Sequence, residues 1–286
     1  MMFTSLLVLK KKEMAKGFGN SIKKNKLDSR DIFFKKEKLQ NNFKPAVITP
    51  YYKEDLGIIE RCHRSCLAQT HKVKHFIVAD GYPNNAIDSW DINHIILSNS
   101  HNDYGNTPRG IGAMSAMNLG FNVIFFLDAD NWFEKDHVES ILGMKTEMPF
   151  LDIVASYRNL VLPEGIILEP DSVDHEKRHI DTSCMSFFET SFFLLPFWLT
   201  MTKELSCLCD RVMFKRFKDN NLKIGFTEQR TLNYTTNYKI HYERAVIVPP
   251  KNAKELDISD LNKFSEENFY FRNNFNFNLS KFLKTL

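Results

Sequence analysis

The chain has too little cysteine for a covalent framework and too little uninterrupted apolar sequence for a membrane span. Its five cysteines, Cys62, Cys66, Cys184, Cys207 and Cys209, are an odd set scattered through 286 residues. That excludes a disulfide-rich scaffold and points to a reducing compartment. None forms a CxxC pair: Cys62 and Cys66 fall four apart inside a helical pattern, and Cys207 and Cys209 are only two apart, so no zinc site is expected. The longest apolar run, FFLLPFWLTM at 192–201, contains Pro196 and is about half of what a bilayer requires. The opening MMFTSLLVLKKK puts its lysines after a short apolar patch, the reverse of a secretory signal, and lacks a small-residue cleavage site. A cytoplasmic location is expected.

What the chain does have is a 43% apolar fraction, enough for a sizeable core. The formal net charge of +3 is unevenly distributed, with twelve Lys/Arg against four Asp/Glu in residues 1–44 and an acidic excess in the rest. Three regions follow. Residues 1–43 read as a basic, partly ordered extension, either a solvated arm or a peripheral contact for an anionic membrane. Without interleaved aromatics the extension does not read as a nucleic-acid binder. Residues 44–250 read as the folded domain, and 251–286 as a tail rich in Asn and Phe.

From Lys44 onward short apolar runs alternate with helical patterns: AVITPYY (46–52), a periodic stretch 56–69, HFIVADG (75–81), HIILSNS (94–100), a helix over 108–120, VIFFLDAD (123–130) and a helix over about 134–145. This alternation predicts βαβ units: an α/β fold with a mostly parallel central sheet, helices on both faces and ligands at the carboxyl edge. Past Asp152 a β-rich region is expected, with strands in 152–165 and 179–188, a helix over 208–220 and further β structure in 238–250.

The strand 123–130 ends in two carboxylates separated by one alanine. A buried strand has no use for acids within its apolar segment, so Asp128 and Asp130 should face the crevice at its end. Positions i and i+2 share a strand face, and paired carboxylates with diphosphate oxygens suit Mg²⁺ or Mn²⁺. Asp80 and the segment Thr49-Pro50-Tyr51-Tyr52 close two other strands at the same edge. The helix after GNTPRG is expected to use Thr107 as its cap, Pro108 as its first position and Arg109 in its first turn. A cation there opposes the helix dipole, so Arg109 should reach for an anion.

TPYY, VADG, GNTPRGIG, FFLDADNW, HIDTSC, CDRV and IHY, in that order over about residues 44–250, resemble a family 2 glycosyltransferase of GT-A fold. The resemblance implies a nucleobase pocket of Thr49, Pro50, Tyr51 and Asp80, with Arg109 and Asp128 toward the donor nucleotide. It implies a metal held by Asp130 and His241, and Asp210 as the base that takes the acceptor's proton. The family often has Glu-Asp where this chain has Cys209-Asp210, which bears on how that base is tuned. Asp181 of HIDTSC is expected to position the acceptor loop.

The expected activity is a metal-dependent, inverting transfer of sugar from a nucleoside diphosphate to an acceptor hydroxyl on a glycan or lipid-linked molecule, with Mn²⁺ or Mg²⁺ as cofactor. A sugar-nucleotide pyrophosphorylase would open with a glycine-rich phosphate loop, but TPYYKED is followed by no glycine until Gly57. An aspartyl phosphatase would carry its D-x-D at the first strand. The remaining alternative is a catalytically degenerate GT-A module that binds sugar nucleotide or a partner without turnover.

Overall fold

The apolar runs of the sequence become the inner strands of one curled sheet. The computed structural model describes residues 43–163, 165–168 and 179–255, all within the unit Asn42–Leu286. The basic extension up to residue 42, most of the stretch between the strands expected in 152–165 and 179–188, and the tail beyond 255 lie outside the described residues.

In chain order the elements are β1 (Pro45–Tyr51), α1 (Leu56–Leu67), β2 (Lys74–Asp80), β3 (Asn93–Leu97), α2 (Asn106–Asn118), β4 (Val123–Phe126) and β5 (Trp132–Phe133). There follow α3 (His137–Glu147), β6 (Ile153–Val161), β7 (Met185–Phe188), α4 (Phe197–Thr200), α5 (Cys209–Asp219), β8 (Ile224–Thr235) and α6 (Lys239–Arg244). The eight strands form one sheet in the order β3-β2-β1-β4-β7-β6-β8-β5. The first four are parallel. β7 then runs antiparallel to both β4 and β6, β8 is parallel to β6, and β5 is antiparallel to β8.

The parallel half is built as its sequence dictates. β1 and β4 are buried at every position, as strands covered on both faces must be. α2 rides directly on β1 and β2: a Cβ on Gly112 would lie 2.5 Å from Ile48 Cγ2 and 3.0 Å from Val78 Cγ2. α1 covers the other face with Ile59, Cys62 and Cys66 inward. The core continues under β7 through Phe126, Phe187 and Phe217, whose rings meet edge to face at 5.6 and 5.4 Å.

Three local expectations are corrected. α2 begins at Asn106, not Pro108, with Gly105 in a left-handed conformation before it. The capping side chain is Asp103, whose Oδ2 accepts from the Thr107 amide at 2.9 Å and the Thr107 hydroxyl at 2.6 Å. A carboxylate outcompetes a hydroxyl for a helix's first amides because its charge also suits the dipole. The 238–250 segment is not β-rich: its first part is the six-residue α6. The strand expected there is instead β8, a twelve-residue strand one segment earlier. No helix among the described residues is long and apolar enough to cross a membrane.

Candidate active site

The carboxyl ends of β1, β2 and β4 border a cavity of about 980 Å³, whose other wall comes from HIDTSC, the start of α5 and the end of β8. Pro50, Tyr51, Asp80, Arg109, Asp128, Asp130 and Asp210 all line it. Thr49 and His241 do not.

The D-x-D turn is fixed from several directions. β4 stops at Phe126, and the Asn131 amide closes the turn onto the Asp128 carbonyl at 2.9 Å. The Asn131 side chain accepts from the Thr235 amide at 2.9 Å and donates to Ser183 Oγ at 3.3 Å. Ser183 Oγ also accepts from the Asp128 amide at 3.2 Å. Arg61 from α1 donates to the Asp130 carbonyl at 2.7 Å. A turn held by α1, β8 and the HIDTSC segment presents its carboxylates with little freedom.

The two acids have different surroundings. Asp128 is ion-paired with Arg109, which is buried and also donates to the Tyr104 carbonyl at 2.8 Å and Asn106 Oδ1 at 3.3 Å. The anion that Arg109 meets within the protein is thus Asp128. Among the described residues Asp130 has no such partner. It is open to the cavity, yet the crevice walls displace much of its water, and this burial, with Asp128 and Glu54 nearby, pushes its pKa up to about 7.

At the far end Asp80 caps the strand β2. Gly81, at φ +84°, lets two backbones cross so closely that a Cβ would lie 2.5 Å from the Ser100 amide nitrogen. The crossing delivers the His101 amide, 3.1 Å from both Asp80 oxygens, and the His101 ring, whose Nδ1 is 2.6 Å from Oδ1. Tyr51 is equally fixed: its hydroxyl accepts from the Asn84 amide at 2.8 Å and lies 3.0 Å from His94 Nε2, while His94 Nδ1 meets Asp88 at 2.5 Å. Burial raises the Tyr51 pKa. Thr49 lies behind this wall, fully buried, with its hydroxyl 2.8 Å from His75 Nε2.

Asp210 stands in the first turn of α5. Its Oδ1 accepts from the Arg211 amide at 2.7 Å, and its Oδ2 is 3.8 Å from His179 Nε2. Burial, then the charge of Asp181, pushes its pKa up to about 6. Asp181 is itself buried and held by Arg158 at 2.6 Å and the Ser183 amide at 2.9 Å. His241 sits on α6, its Nδ1 2.5 Å from Thr236 Oγ1, and does not line the cavity.

Sequence reasoning missed several wall residues: Glu54, Asp103, Tyr104, Glu204, Tyr234 and Tyr238. Glu54 had a signal, falling two residues after TPYY at a strand end. Tyr234 and Tyr238 depended on recognising β8. With the missed acids counted, eight carboxylates face three cationic side chains, Arg109, Lys203 and Lys254. Such a cavity has a negative potential that favours a cation. Among the described residues no group of three or more His, Cys, Asp or Glu is arranged to hold a metal.

Comparison with known proteins agrees with this geometry. Residues 46–159 match the sequence profile described as Glycosyl transferase family 2. Among solved structures, S. aureus TarS 1–349 in complex with UDP aligns with a TM-score of 0.53 at 16% identity, over 80% of this chain and 77% of that one. The same protein in complex with UDP-GlcNAc gives 0.50 at 14% identity, over 85% and 81%. Longer S. aureus TarS gives 0.54 at 16% identity over 85% of this chain, which spans only 49% of that one. A comparison with curated proteins by sequence gives no match. The fold is GT-A. Residues 46–159 are similar to family 2 glycosyltransferases.

Proposed function

We propose that this protein is a metal-dependent, inverting glycosyltransferase that moves a sugar from a nucleoside-diphosphate donor to the hydroxyl of a glycan, free or lipid-linked. The observation that carries the reading is that Asp80, Asp130 and Asp210, from three separate parts of the chain, open into one cavity. The nucleotide-sugar donor is supported by the UDP and UDP-GlcNAc in the complexes of TarS.

In this reading Asp80 accepts an N–H of the base, its carboxylate oriented by the His101 amide and ring, while Pro50 and Tyr51 form the wall beside it. Thr49 supports that wall from the core. Asp130 and Asp128 would hold Mn²⁺ or Mg²⁺, without His241. The donor set fits: two hard carboxylates suit a cation that completes its shell with diphosphate oxygens, and the like charges that raise the Asp130 pKa are relieved by it. The bound metal would supply Lewis-acid stabilisation of the charge on the departing diphosphate. Asp210 takes the acceptor proton, and a pKa of about 6 leaves it ionised at neutral pH yet more basic than an ordinary carboxylate. The D-x-D turn, fixed by Ser183, Thr235 and Arg61, keeps these groups in register.

The test is donor turnover by wild type, Asp130→Ala and Asp210→Asn, each with and without chelator. Loss of turnover with chelator and in both variants supports the mechanism; unchanged turnover throughout refutes it.

A further inference from the structure

We propose that His179 is the positioning residue of Asp210, its Nε2 facing the carboxylate oxygen that the Arg211 amide does not take. This rests on the reading of Asp210 as the base. The sequence departs from the family it resembles beside that base, where Cys209 stands in place of an acidic neighbour. The Cys209 thiol is pushed up to about 12, mainly by burial, so it supplies neither charge nor proton at neutral pH. The neighbours that replace it in space come from the HID segment: Asp181 repels the Asp210 carboxylate, and His179 approaches it.

The geometry assigns each oxygen a partner. Oδ1 is taken by the Arg211 amide at 2.7 Å, and Oδ2 faces His179 Nε2 at 3.8 Å. The His179 side chain is 7% exposed and that of Asp210 22%, so the contact is shielded while the carboxylate keeps an opening to the cavity. At this separation the contact is longer than a hydrogen bond, and the ring acts on the carboxylate through its N–H dipole or, when protonated, through its charge. Other charged and titratable groups among the described residues also act on Asp210. Arg158 of β6 is bound to Asp181 at 2.6 Å, Arg211 lies on the base's own helix, and Tyr238 faces it from beyond β8. A donor at Oδ2 favours the ionised carboxylate against the Asp181 charge and fixes its rotamer.

The test uses His179→Phe, which keeps the ring's bulk and removes the donor, and His179→Gln, which keeps an N–H. The Asp210 carboxyl is titrated by NMR in the ligand-free protein, and the pH profile of donor turnover is measured beside it. In His179→Phe the Asp210 midpoint and the acidic limb of the profile move up by about one pH unit. The kcat then falls about tenfold below the midpoint and little above it, donor KM is unchanged, and His179→Gln restores most of the shift. In wild type, the His179 ring resonances show an inflection as Asp210 ionises near pH 6. A midpoint unmoved in His179→Phe, a Gln variant no better than Phe, or a wild-type ring with no such inflection overturns the proposal. Full turnover by Asp210→Asn would instead remove the base reading itself. Loss of turnover in Asp210→Asn with unshifted His179 variants removes only this inference.

Discussion

Arg109 and Asp128 form an ion pair at the side of the crevice, with the guanidinium centre 5.7 Å from the Trp198 ring. The arginine that sequence pattern aims at a donor is thus first a brace for the D-x-D turn. Arg109 is buried and Asp128 only partly exposed, so removing one partner strands the other. Arg109→Met is expected to destabilise the fold by about 3 kcal/mol, and Arg109→Met/Asp128→Asn by less. Chemical denaturation of the three proteins checks this; a double variant that loses as much as Arg109→Met or more would show that the single change does not strand Asp128.

The raised pKa values make the ligand-free site sensitive to alkaline shift. Asp130 and Asp210, at about 7 and about 6 in the folded state, lie above the ordinary carboxylate value expected unfolded. Their stabilising contribution is full below about pH 4 and is lost as pH rises through 6 to 7. Thermal melts should therefore show wild type losing stability relative to Asp130→Asn over that window. Manganese ions should reverse the loss, with an apparent affinity that falls about tenfold per pH unit below 7.

Buried histidines act in the opposite direction. His75, stacked on His63 and hydrogen-bonded to Thr49, is lowered to about 3 by burial and then by the His63 charge. Its contribution is present above the unfolded value near 6.5 and is lost as pH falls toward 3. Replacing it with Gln, which retains a partner for Thr49, should flatten the loss of stability between pH 7 and 5 measured by urea titration. A slope identical to wild type would assign the acid sensitivity elsewhere.

Glycines divide by what surrounds them. Gly112→Ala drives a methyl into Ile48 and Val78 and should cost about 1–3 kcal/mol, tilting α2 and with it Arg109. Gly143→Ala, inside α3 with nothing within 4 Å, should stabilise by about 0.5–1 kcal/mol. Parallel melting curves of the two variants give the comparison.

The parallel half of the fold was legible because β1, β2 and β4 are buried on both faces, which writes them as unbroken apolar runs. Asp80, Asp128 and Asp130 stood out because carboxylates interrupt those runs. β8 was hidden: Glu228-Gln229-Arg230 breaks its alternation, and Glu228 has a positive φ of 56° where the register with β6 shifts. The α6 segment misled through Ile240 and Tyr242, strand-favouring residues on a helix of only six. Thr107 was chosen as cap by residue type, whereas Asp103 reaches back across a left-handed turn that local propensity does not reveal. The placement of β7 between β4 and β6 is a long-range choice that no local pattern encodes.

The central claim is that one cavity takes a diphosphate together with a divalent cation on Asp130. Calorimetric titration of wild type and Asp130→Asn with UDP, GDP, ADP and CDP, in Mn²⁺ and in chelator, tests it most directly. The account predicts saturable binding of at least one diphosphate by wild type in Mn²⁺, weakened about tenfold or more by chelator and by Asp130→Asn. Diphosphate binding of equal strength in all four conditions, or none in wild type with Mn²⁺, would contradict it.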